Sequence, residues 1–218
     1  MMTTLQIFIE LLKTLPKVSM VYILTALFSL PFGILGALAY TRKNSFVRTI
    51  LSLYTWIFRG SPLMLQLLMF YYGLPLIKFA GYSITLGPYQ AGILTFIINY
   101  TAYFIEIIRG GIDSIDVGQH EAAKVLGYNY WQKMIYIILP QALRRVLPSL
   151  GNEAISLIKD TSLIYVLSIT EIMKRTKELA NTYYIISPYI CSALIYLLLS
   201  FCVDKIFKII ESKNKIRL

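Results

Sequence analysis

GQHEAAKVLGYNYWQKMIYIILPQAL, Gly118 to Leu143, changes character half-way along. Its first half is polar, rich in small residues and holds the only histidine of the chain, His120; its second half is apolar enough to enter lipid. His120 to Leu126 carries good helix formers, Gly127 supplies a stop, and Tyr128 to Trp131 leads back into apolar sequence. Glu121, Ala122 and Ala123 set a charge beside side chains small enough for another surface to approach the backbone closely. A linker helix that merely turns the chain around satisfies the same pattern, so the residues alone leave both readings open.

Outward from this stretch the chain is apolar. Of its 218 residues 57% are hydrophobic and 15% charged, with a mean hydropathy of +0.64, whereas about a quarter of the residues of a soluble domain are charged. An integral, all-α membrane protein is expected. The net charge of +10 does not point to nucleic acid, because the basic residues lie between apolar runs and cluster only at the C-terminus. Cys191 and Cys202 fall in one predicted helix about 16 Å apart along its axis, too far for a disulfide. No metal-ligand spacing occurs.

Five spans are expected within one transmembrane domain, at 18–40, 49–77, 89–108, 134–158 and 183–203, preceded by an interfacial helix over about 5–15 and with the polar loop at 118–131. That helix is expected to set Leu5, Phe8, Leu12 and Leu15 against Glu10, Lys13 and Lys17. Five spans put the termini on opposite sides. With the N-terminus outside, Arg42, Lys43, Arg48, Arg109, Lys124, Lys133, Lys205, Lys208, Lys213, Lys215 and Arg217 lie inside, against Lys13, Lys17, Lys78, Lys159, Lys174, Arg175 and Lys177 outside. The excess favours N-out and C-in, with the polar loop in the cytoplasm.

Charged groups at membrane depth face water or protein, so the spans that carry them are candidates for function. Glu153 and Asp160 are seven residues apart, sharing one face of a continuing helix about 10 Å apart, with Ser156 between them and Asn152 at the border. Such carboxylates want a cation: a substrate, or a structural partner among Arg59, Arg144, Arg145 and Lys159. The second span is expected to break at Gly60-Ser61-Pro62, exposing backbone groups beside Arg59 and Ser61. Gln66, Asn99 and Tyr103 are candidates to line the same cavity, and Glu106 is expected to meet Arg59 or Arg109.

GQHEAAKVLG followed by ILPQALRRVLPSLGNEAISLIKDTSL resembles the signature loop of ATP-driven importer permeases, in the branch that handles histidine, glutamine and arginine. FRGSPLMLQLLMFYYGLP and AYFIEIIRGGIDSIDVGQ match other segments of that family in order. His120 departs from the usual residue at its position, and a solvated loop histidine is expected. The resemblance implies a type I ABC importer permease in the cell's inner membrane, with the loop as a coupling helix for the ATPase through Gln119, Glu121, Ala122, Ala123 and Gly127. It also implies two permease subunits, identical or not, two ATPases and a binding protein that delivers an amino acid. Relatives that handle glutamine often carry an amide near Glu153, so a basic amino acid (arginine, lysine or histidine) is expected.

The chain has no G-x-x-x-x-G-K-[ST] loop, so ATP is expected to be used by the partner, with no cofactor bound here. A secondary transporter with the acids as ion sites is the alternative; it predicts an internal repeat, and none is visible. A membrane enzyme lacks a nucleophile–base set, and a scaffold leaves Glu153 and Asp160 unexplained.

Overall fold

The computed structural model describes residues 2–42, 44–79 and 81–213. Of the basic residues weighed for orientation, Lys43, Lys215 and Arg217 lie outside the described residues.

The chain is an all-α membrane protein. Among the described residues, three helical stretches are long and apolar enough to cross a bilayer: Thr4–Tyr40, Pro88–Asp113 and Ser187–Lys213, whose most apolar 18-residue windows have mean hydropathies of 2.0, 1.6 and 1.9. The first comprises α1 (Thr4–Leu12) and α2 (Leu15–Tyr40), parted by a two-residue turn. Thr3 and Gln6 form a capping box that starts α1. Ile7 and Leu11 are the residues α1 buries, against Ile172, Leu179, Cys191 and Ile195, while Leu5 is exposed. Phe8, Leu12 and Leu15 of the expected stripe are partly buried against the same cluster, in which Ile7 and Leu11 sit deepest.

The expected break in the second span is present. After α3 (Ser45–Gly60), Ser61 and Pro62 are extended, and the helix resumes as α4 (Leu63–Leu68), a π turn (Met69–Gly73) and a short 3-10 turn (Leu74–Leu76). Pro62 brings no amide hydrogen and crowds the preceding turn, so the ladder cannot pass through it. A two-residue hairpin of β1 (Lys78–Phe79) and β2 (Tyr82–Ser83) leads into α5 (Pro88–Asp113).

α5 is the hub: 61% of its apolar window is buried, against 28% and 22% in the other two long stretches. It runs parallel to α2, and the two come close because Gly36 has no β-carbon; one built there would stand 2.6 Å from the Ile105 side chain, and at Gly33 it would meet Phe104 closer still. After the loop helices α6 (Val117–Val125) and α7 (Tyr130–Lys133), a π turn (Met134–Ile138) opens into α8 (Leu139–Asp160), antiparallel to α5. The wide turn lies just before Pro140, whose ring has no room in a regular helix. A 3-10 segment (Thr161–Leu167), α9 (Ile172–Tyr183) and α10 (Ser187–Lys213) complete the fold. Cys191 is buried and Cys202 exposed, and both are free thiols.

Candidate functional site

The break in the second span is braced by two amides. Gln66 Nε2 donates to Phe58 O (2.9 Å), Ser61 O (3.1 Å) and Ser61 Oγ (2.9 Å), and Asn99 Nδ2 donates to Phe58 O (2.8 Å) and Gln66 Oε1 (3.0 Å). These bonds satisfy carbonyls that the interrupted ladder would leave bare in an apolar surrounding. Gln66 is spent on this task and does not line the cavity described next. Asn99 does both, holding the break with its amide hydrogens and facing the cavity.

That cavity, about 260 Å³, is lined by Ser61, Leu63, Asn99, Tyr100, Tyr103, Glu153, Ser156 and Asp160. Glu153, Ser156 and Asp160 come from one face of α8, so the seven-residue spacing delivers both carboxylates to one space. Asp160 Oδ2 accepts from the Tyr100 hydroxyl at 2.7 Å. Among the described residues neither acid has an ion-pair partner within 4.0 Å, and Glu153 and Ser156 make no side-chain hydrogen bond. Asn152 is exposed and lies outside the cavity. Arg145 instead donates to Ser114 O and fixes the start of the polar loop on α8.

Below the cavity, Glu106 gathers the charges of α3 and α5. Its Oε2 accepts from Arg109 at 2.7 and 3.2 Å, its Oε1 accepts from Thr55 at 3.0 Å, and Arg59 Nη1 stands farther off at 3.9 Å. Arg109 also reaches Asp113 at 2.9 Å. The Arg59 guanidinium lies 5.4 Å from the centre of the Tyr103 ring, a wall of the cavity.

The polar loop is held to the bundle at both ends. Asp116 caps α6, accepting from Gly118 N at 2.7 Å, and Gly127 closes it at φ +77°, a conformation that favours glycine. Gln141 on α8 reaches Gln119 at 3.3 Å, and the Tyr130 hydroxyl donates to Leu38 O at 2.8 Å. Ala123 is 1% exposed, whereas Glu121, Ala122, Lys124, Val125 and Leu126 face outward. His120 is half-buried, at a cavity of about 310 Å³ shared with Asp113, Tyr130 and Lys133. Burial, and Lys133 after it, hold its pKa below the usual histidine range, so the neutral ring persists to lower pH.

The profile of the family described as the binding-protein-dependent transport system inner membrane component matches residues 29–216. The chain belongs to that family. Among curated relatives of this inner membrane component, the putative glutamine transport system permease protein GlnP of Rickettsia typhi is 38% identical over 192 residues, 88% of this chain and 86% of that protein. The arginine transport system permease protein ArtQ of Bacillus subtilis is 36% identical over 89% of this chain and 88% of its own length. A crystal structure of an amino acid ABC transporter with histidines superposes with a TM-score of 0.80 at 32% identity, covering 95% of this chain and 94% of that one. The MetNI methionine ABC transporter, inward facing, shares the fold at a TM-score of 0.74 and 19% identity.

Within this inner membrane component, six of the residues singled out from sequence surround one cavity: Ser61, Asn99, Tyr103, Glu153, Ser156 and Asp160. Arg59 stands beneath its wall, Gln66 behind it and Asn152 outside it. Sequence reasoning missed Tyr100, which is 2% exposed and supplies the hydrogen bond to Asp160. Its signal was its place three residues before Tyr103, close to one turn earlier on the same helix.

Proposed function

We propose that this chain is the membrane-spanning permease subunit of an ATP-driven amino-acid importer, and that its cargo carries a positive side chain. The observation that carries the reading is the pair of carboxylates, Glu153 and Asp160, on one cavity, with no ion-pair partner within 4.0 Å of either among the described residues. Unpaired acids in an apolar surrounding are costly, so the site favours a ligand that supplies positive charge. An amino acid always brings an α-ammonium, and this reading assigns it to Asp160. Glu153 then meets a side-chain cation, and the Ser156 and Tyr103 hydroxyls are free to donate to the α-carboxylate. Relatives named for glutamine and for arginine support the amino-acid class, and the second acid argues for the basic member.

Energy comes from a partner. The outward face of α6, with Glu121, Ala122 and the apolar Val125 and Leu126, offers an ATP-binding cassette subunit a small and partly greasy seat, while Gln119 and Gly127 fix the helix that presents it. A second permease subunit completes the path, and a binding protein delivers the cargo on the outer side. The N-terminus is outside and the C-terminus in the cytoplasm.

Uptake into proteoliposomes with the co-purified ATPase tests this. Glu153→Gln removes a charge-assisted hydrogen bond worth about 1.5–3 kcal/mol, so uptake of lysine or arginine falls by about one to two powers of ten relative to glutamine. A lowered melting temperature with an unchanged ratio would mean that Glu153 is structural.

A further inference from the structure

A groove of about 420 Å³ opens between the last turn of α2 and the first turns of α3, apart from the cavity that holds the two acids. Tyr40 forms its α2 side, and Arg48, Thr49, Ser52, Leu53 and Trp56 form its α3 side. It lies at the end of the bundle that carries the polar loop, since the Tyr130 hydroxyl of α7 donates to Leu38 O and stands 2.9 Å from Thr41 Oγ1. Arg48, Ser52 and Trp56 follow one another at four-residue intervals, so a cation, a hydroxyl and an indole stand in file along about 12 Å of one helix face. The cation is nearest the polar loop, and Leu53 and Trp56, 54% and 74% exposed, continue along the span.

Arg48 is a cation without an anion. Among the described residues its side chain makes no hydrogen bond and has no carboxylate within 4.0 Å. Its guanidinium faces the Tyr40 ring, 6.0 Å from the centre. Arg109 faces the same ring at 5.2 Å and takes up Glu106 and Asp113, the two acids of α5. The Ser52 hydroxyl is also unbonded, whereas Thr49 Oγ1 donates to Ser45 O at 3.0 Å. A second copy of this chain, with 21 basic residues against 11 acidic, is a poor source of the missing charge.

We propose that this groove binds an anionic phospholipid from the leaflet on the polar-loop side, with its phosphate on Arg48 and Ser52 and an acyl chain along Leu53 and Trp56. A guanidinium holds a phosphate through two parallel hydrogen bonds, and basic pockets between membrane helices suit anionic headgroups. The order of the lining, charge then hydroxyl then hydrocarbon, follows the lipid from phosphate to glycerol to acyl chain. A free anion would leave the apolar half of the groove unused. Bound there, the lipid neutralises a charge that stands at the edge of the hydrocarbon, where an unpaired charge is costly.

Trp56 reports on the groove directly, because Trp131 is the only other tryptophan of the chain. The full chain carrying Trp131→Phe is reconstituted in phosphatidylcholine vesicles with a minority of phosphatidylglycerol. The acyl chains of one lipid or the other are brominated, so that whichever touches Trp56 quenches its fluorescence. Phosphatidylglycerol is expected to be favoured at Trp56 about fivefold over phosphatidylcholine. Arg48→Gln should erase the preference while brominated phosphatidylcholine still quenches, which shows that Trp56 still faces lipid, and Arg48→Lys should keep most of it. Arg42→Gln removes an equal charge outside the groove and should leave the preference near that of the parent. Equal losses from Arg48→Gln and Arg42→Gln would mean attraction by diffuse charge and would overturn the site, as would a parent protein with no preference. A preference lost when inorganic phosphate replaces chloride at constant ionic strength would give the groove to a free anion. Absence of quenching by either lipid would give it to a protein surface such as a second copy of the chain; each of these outcomes overturns the lipid.

Discussion

The Tyr100 hydroxyl on α5 reaches Asp160 Oδ2 at the end of α8, 2.7 Å away across the cavity. The bond ties the central helix to the one that carries both acids, and it leaves Asp160's remaining lone pairs for a ligand. Tyr100→Phe removes a bond to a charged acceptor inside a nearly dry wall, about 1.5–3 kcal/mol. If Asp160 holds the α-ammonium, binding of every amino acid weakens together, with the preference for basic over neutral cargo intact. Binding of lysine and glutamine to the Tyr100→Phe transporter measures this, and a selective loss of lysine would reassign the roles of the two acids.

The two alanines of the polar loop should behave differently. Ala123 is packed into the bundle and Ala122 faces out. Ala123→Trp forces a large ring into a filled site, which costs about 1–3 kcal/mol and lowers the melting temperature. Ala122→Trp should leave the melting temperature alone while the ATPase fails to co-purify, or hydrolyses ATP without uptake. An Ala122→Trp protein with parental transport and parental ATPase association would refute docking on this face.

What could be read from the sequence was what depends on spacing along one helix. Glu153, Ser156 and Asp160 repeat at helical intervals, so their common face required no tertiary information, and Pro62 breaks a helix wherever that helix lies. What escaped depends on which helices meet. Nothing local shows that Gln66 and Asn99 turn toward Phe58 O, because an amide in a span is equally suited to a ligand or to a bare carbonyl until the neighbour is known. The Ile7–Leu11 face of α1 escaped for the same reason: it is decided by a partner surface distant in sequence. Asn152 was drawn in by adjacency to Glu153, though one residue turns a helix by about 100° and carried it outside.

Orientation is open to a chemical test. In a protein carrying Cys191→Ser and Cys202→Ser, single cysteines at the exposed Lys124 and Lys213 should resist an impermeant thiol reagent in whole cells. One at Tyr82, 80% exposed in the hairpin before α5, should react. Labelling of the first two from outside would invert the arrangement.

The last prediction concerns an acid that no transport step uses. Glu171, 0% exposed, caps α9 outside the spans, its carboxylate accepting from Met173 N and Lys174 N at 2.7 Å each and from the Tyr196 hydroxyl at 3.2 Å. Burial pushes its pKa up to about 7, against the pull of those three donors and of Lys177. The folded protein therefore keeps a proton that the unfolded chain has already released, and the associated stability is full below about pH 4.5 and is lost as the pH rises through about 7. The total is about 3 kcal/mol at most, from 1.36 kcal/mol for each pKa unit. His120, whose pKa is lowered, works in the opposite sense, losing stability as the pH falls, so the melting curve of the parent alone mixes the two. Glu171→Gln isolates one of them, because the amide stays neutral throughout. Relative to the parent, its melting temperature should be at or below parity at pH 5, since one acceptor has become a donor facing a backbone amide, and should gain steadily toward pH 8. A difference between the two proteins that stays constant across that range would mean Glu171 is ionised throughout, held by its three donors in spite of its burial.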